Sequence, residues 1–166
     1  MSVISDEYTH ELINLYFDEE NFSLSQTNLD LFNKLIEILS QLTNANFFEF
    51  ETTGGIKRIK FILDFNQLEI QKVENASLLQ KLLQNFGEQT YIFIRIIFHR
   101  MLKEKEKDFN IKIPNIPINL EIRNSDYYFR ISSNDKLKYN SFVEFYGRII
   151  KFSNVKQLNT KMKITR

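Results

Sequence analysis

The chain has 166 residues, 43% apolar and 26% charged, with 16 phenylalanines, no tryptophan, 4 glycines and 2 prolines. That length can bury a core without staples, and the composition excludes collagen-like, low-complexity and disordered classes. No cysteine is present, which excludes a disulfide framework and cysteine-ligated zinc or iron–sulfur sites within these residues and fits a reducing compartment. The net charge of +1 hides an asymmetry: residues 1–55 hold ten acids and one base, Lys34, whereas residues 136–166 hold eight bases and one acid, Glu144. A basic tail behind an acidic head suggests a polyanion partner for the tail, or neutralisation of the head.

In chain order, the spacing of Tyr8, Leu12, Ile13, Leu15 and Tyr16 predicts a helix from Asp6 to about Asp18. Ser25 or Thr27 can cap a second helix, whose stripe is Leu31, Phe32, Leu35, Ile36, Leu39 and Leu42. Phe47–Glu51 and Ile56–Asp64 read as a hairpin turned by Thr53, Gly54 and Gly55. Asn75 can cap a helix bearing Leu78, Leu79, Leu82, Leu83 and Phe86, with Gly87 at its C′ position. A helix from Glu88 to about Lys107 is apolar all round in its middle, as the central helix of a small bundle would be, and Lys103–Lys107 read as its solvated last turn. Its longest apolar run, Tyr91–Leu102, is 12 residues long and interrupted by Arg95, His99 and Arg100, too short and too polar for a membrane span. The N-terminus shows no basic segment leading into an apolar run, so no signal peptide is expected.

Beyond Pro114 and Pro117 the period changes to two. Ile118–Arg123 and Tyr127–Ile131 read as strands, and Ser132–Asn140 as a polar loop. Phe142–Phe152 is apolar on both faces and contains Gly147, which suits a bent barrel wall. Lys156–Ile164 alternates, with Leu158, Thr160, Met162 and Ile164 on one face and Gln157, Asn159, Lys161 and Lys163 on the other. The expected fold class is α+β: a helical subdomain with a small hairpin over residues 1–112, then the first strands of an oligonucleotide-binding (OB) barrel over 113–166.

No phosphate-binding G-x-x-x-x-G-K-[ST] loop occurs, and Gly54-Gly55 lacks the following glycine and helix start. His10 and His99 lie on different helices without carboxylates at ligand spacing, and Asp18-Glu19-Glu20 reads as a helix end entering solvent. No catalytic or metal-binding residue is expected. Nucleic-acid contacts are expected from Tyr146, Arg148, Lys151, Lys156, Lys161 and Lys163, because bases interleaved with aromatics on adjacent strands suit the backbone and bases of a single strand.

The segment Phe142–Ile164 resembles the opening strands of the OB barrel of the minichromosome-maintenance (MCM) helicases, with Gly147, Ile149, Lys151, Ser153, Val155 and Lys156 on the family's G-x-V-x-R-x-S-x-V-K-P frame. Ser153–Met162 is most similar to the family's eighth paralogue. Phe61–Phe65 followed by a helix, and Ile113–Pro117, resemble its upstream strand–helix and linker. The chain departs from the frame at Gln157, usually proline, and at Tyr146, often arginine. The resemblance implies the N-terminal, DNA-binding and ring-contact portion of a nuclear helicase subunit in replication or homologous-recombination repair. Its partners would be single-stranded DNA and other subunits of the ring, with no membrane. The chain reaches Arg166 ahead of the family's zinc ribbon and ATPase module, so the resemblance implies no enzyme activity of its own and no cofactor here. ATP, magnesium and zinc would belong to the downstream part. The rival expectation is a non-enzymatic protein-interaction module that docks through its acidic head or exposed strands.

Overall fold

A computed structural model describes residues 7–17, 25–42, 47–110, 112–125, 129–131 and 143–145. The fold is α+β: the described residues form five helices and a three-stranded open sheet, with a separate two-stranded pair. Helix α1 (Glu7–Phe17) buries Thr9, Leu12, Ile13 and Tyr16, one face at i, i+3, i+4 and i+7. Helix α2 (Gln26–Leu39) starts where Ser25 Oγ accepts the Asn28 N–H at 3.3 Å, so Ser25 rather than Thr27 is the cap.

Strands β1 (Phe48–Thr53) and β2 (Ile56–Asp64) form the expected hairpin. Its two-residue turn is Gly54-Gly55, both at positive φ (60° and 80°), as a turn that follows the twist of the strands requires. The carboxylate of Asp64 caps the short helix α3 (Phe65–Ile70), accepting the Asn66 N–H at 3.0 Å. At six residues, α3 is too short for a periodic signature. The chain after it is tied back to α2 by Gln41, whose amide both donates to Glu74 O (3.2 Å) and accepts from Glu74 N (2.7 Å).

Helix α4 (Ala76–Asn85) and helix α5 (Gly87–Glu104) differ from expectation at their junction. Asn75 occupies the cap position in a left-handed conformation, φ 64°, and its side chain makes no capping bond. Gly87 does not close α4 in a left-handed C′ conformation. It is buried as the first residue of α5, and the preceding Phe86, φ −134° and ψ 53°, makes the corner.

Helix α5 is central, as expected: it packs against α1, α2 and α4 and buries Phe93, Ile94, Ile96, Ile97, Phe98 and Leu102. Phe93 meets Phe17 and Phe32 edge-on at 5.7 and 5.3 Å, and Phe98 meets Phe47 and Phe61 on the sheet side at 5.1 and 5.8 Å. A core filled by Phe and not Trp adds no indole N–H in need of a partner.

Strand β3 (Leu120–Arg123) pairs in parallel with β2, Phe61 opposite Leu120, after the crossover through α3, α4 and α5. The sheet order is β1-β2-β3. The run read as Ile118–Arg123 therefore joins the hairpin, and its Leu120 and Ile122 share the core face with Phe61 and Leu63. Strands β4 (Phe129–Ile131) and β5 (Val143–Phe145) pair in parallel as the second sheet, Phe129 opposite Val143. The expected loop Ser132–Asn140, the bend at Gly147, the alternating strand Lys156–Ile164 and the helix end Asp18-Glu19-Glu20 lie outside the described residues.

Candidate functional site

The six residues expected to contact nucleic acid, Tyr146, Arg148, Lys151, Lys156, Lys161 and Lys163, all lie outside the described residues. What the described residues build is the buried anchor that leads the chain into β3, and an exposed hairpin arm beside it.

The anchor is a polar stripe on an otherwise apolar helix. Tyr91, Arg95 and His99 recur every fourth residue of α5 and so share one face. Arg95 Nε donates to Ile118 O at 2.7 Å, with its guanidinium over the rings of Tyr16 (4.7 Å) and Tyr91 (5.4 Å). The Tyr91 hydroxyl donates to Leu120 O at 3.0 Å. Ile118 N–H donates to the Tyr16 hydroxyl at 3.0 Å, which leaves that hydroxyl's proton for His99 Nδ1 at 2.8 Å. This arrangement assigns His99 the Nε2–H tautomer.

Burial dominates the titration of both rings. It pushes the fully buried His99 down to about 4, helped by the Lys103 charge; the Pro114 backbone opposes that shift without a hydrogen bond of good geometry to Nε2. Burial pushes Tyr16 up to about 12, against the Ile118 N–H and the Arg95 charge. His99 is thus a neutral core acceptor, in line with the structural role its sequence context suggests. Arg95 directly and His99 through Tyr16 secure Ile118 against α5, and Tyr91 secures Leu120. The fourfold spacing of Tyr91, Arg95 and His99 is a legible signal; their partner Tyr16, 83 residues from His99, is not.

Glu106 revises the reading of Lys103–Lys107 as a solvated turn. Its carboxylate accepts the Ile113 N–H at 3.0 Å and pairs with Lys103 at 2.9 Å. These bonds, that to Lys103 first, hold its carboxyl below the usual range.

The hairpin arm extends past the start of β3 at Leu120, since β3 spans only Phe61–Asp64 of β2. Glu49–Thr52, Gly54, Gly55, Lys57 and Arg58 are exposed, and Phe50 keeps 50% of its surface in solvent. On the sheet's outer face Arg123 joins the strands, contacting Glu49 at 3.0 Å and Glu121 at 2.7 Å, while Lys60 meets Glu121 at 3.2 Å. On the opposite face Phe48 touches Phe50 and Phe109, ring centroids 5.8 and 5.4 Å apart.

Two clefts are found among the described residues. One of about 140 Å³ lies between α2 and α5, floored by Phe32, Ile96 and Ile97 with Arg100 and Glu104 at its rim. The other, about 460 Å³, lies along α3 and α4 and is lined by Asn66, Glu69, Lys72, Ser77, Gln80 and Asn124. Among the described residues no three His, Asp or Glu side chains gather as metal ligands, and no helix is long and apolar enough to cross a membrane. No protein-family model matches the sequence, and no curated protein and no solved structure matches it either.

Proposed function

We propose that this chain is the N-terminal DNA-binding and ring-contact portion of an MCM-type helicase subunit, acting in the nucleus in replication or recombination repair, with residues 113–166 opening an OB barrel. The observation that carries the reading is the segment Ser153–Met162, which resembles that family's barrel entry and lies in the stretch 136–166 with eight bases and one acid. Single-stranded DNA is the partner that such charge suits, through its phosphates, with Tyr146 as a stacking platform. Ring contacts go to other subunits of the same family. The chain has no Walker-type loop, so it contributes binding without ATP turnover.

Binding of a fluorescent single-stranded oligonucleotide across a salt series tests this reading. The chain should bind weakly and lose affinity steeply with salt, since each neutralised phosphate releases about 0.7 counterion. Replacing Lys161 and Lys163 together with glutamate should lower affinity and flatten the slope by more than about one unit. Salt-independent binding, or a folded double variant that binds like the parent, would refute it.

A further inference from the structure

The hairpin register determines which backbone groups of β1 are used. Ile62 N–H donates to Phe47 O at 2.8 Å, so the hydrogen-bonded pairs alternate from there: Glu49 with Lys60, Glu51 with Arg58, and Thr53 with Ile56 at the turn. Phe48, Phe50 and Thr52 face Phe61, Ile59 and Lys57 in the pairs that exchange no hydrogen bonds. Consistently, Phe61 N–H points away from β1, to Asn119 O at 2.8 Å. The N–H and C=O groups of Phe48, Phe50 and Thr52 therefore point to the free side of β1, an edge on which no described strand lies.

The side chains along this edge are sorted by face. Phe48, Phe50 and Thr52 lie on one side and Glu49 and Glu51 on the other, with no base in the strand Phe48–Thr53. Arg123 engages Glu49, while Glu51 is exposed and makes no ion pair among the described residues. Arg58 and Lys60 sit one strand further in, beyond β1 as seen from the free edge. Edge charges ordinarily keep a strand from pairing with its own kind. An antiparallel pair of two β1 strands would set Glu against Glu across the joint, which disfavours a second copy as the occupant.

We infer that the β1 edge is a docking site for an extended peptide strand of a basic partner, one in which apolar residues alternate with Lys or Arg. Its main chain would pair with the open groups of Phe48, Phe50 and Thr52. Its apolar side chains would lie against Phe48 and Phe50, and its bases beside Glu49 and Glu51. This adds a protein contact to the nucleic-acid reading and does not depend on it.

The probe is a blocked octapeptide alternating isoleucine and lysine, titrated into the isotopically labelled full chain, with a glutamate-for-lysine version as control. The lysine peptide should slow hydrogen exchange at the Phe48, Phe50 and Thr52 amides, leaving those of Glu49 and Glu51, already bonded, unchanged. Phe50→Pro removes one edge donor without touching the β1–β2 ladder and should weaken binding about tenfold. Glu51→Lys, a change at an exposed residue that keeps the fold, should weaken the lysine peptide and favour the glutamate peptide. Equal protection by both peptides, or none at saturating lysine peptide, would overturn the inference.

Discussion

Phe98 and Phe50 are the same side chain in two regions built on opposite terms. Phe98, on α5, has no exposed surface and touches the rings of Phe61 in β2 and of Phe47 just ahead of β1. Phe50, in the strand that leads into the Gly54-Gly55 turn of the same hairpin, is half in solvent. Helix α5 is enclosed by three helices and a sheet, whereas the arm projects beyond the point where β3 begins and there has one strand as its neighbour. Burial, not residue type, separates a ring that holds the fold together from one available for contact.

The largest effect that can break this comparison is in the core. Phe98→Ala should cost about 3–5 kcal/mol in urea unfolding, while Phe50→Ala should cost about 1 kcal/mol or less. Similar losses at both positions would erase the distinction. Next is the anchor. Tyr16→Phe keeps the ring under Arg95 but removes the oxygen that serves both Ile118 N and His99 Nδ1. Leaving those buried groups unpaired should cost about 2–3 kcal/mol.

Acid acts on the same network. His99 falls from 6.5 to about 4 on folding, so its neutral form stabilises the native state. That contribution is complete above pH 6.5, declines as pH falls towards 4, and is gone below it. His99→Gln, which retains an acceptor for Tyr16, should flatten the stability profile across that window; an unchanged profile would remove His99 from the account. A local effect comes last: Ser25→Ala should cost about 1 kcal/mol through the lost cap of α2, read in the same urea unfolding.

The sequence makes local features legible and long-range ones opaque. The Ser25 cap, the Gly54-Gly55 turn and the enclosure of α5 follow from residue chemistry within a few positions. Helix α3 escapes a reading by periodicity because six residues carry less than two turns of pattern, and Asp64 also reads as the end of a strand. Alternation marks Leu120–Arg123 as a strand but is silent on its partner, which is β2, some sixty residues upstream. Gly87 reads as a stop, yet it is buried as the first residue of α5 and makes no left-handed turn. Of the site, the stripe of Tyr91, Arg95 and His99 was open to inspection on α5, and Tyr16 was not, because only folding brings α1 against it. The free groups of β1 depend on pairing parity, which requires the register with β2.

Native-state hydrogen exchange of the free chain tests the contrast between core and arm most directly. The amides of Phe93–Leu102 should exchange only with global unfolding. In β1, protection should alternate: Glu49 and Glu51 slow, Phe48, Phe50 and Thr52 close to the rate of an open chain. Uniform protection along β1, or fast exchange within α5, would contradict the account.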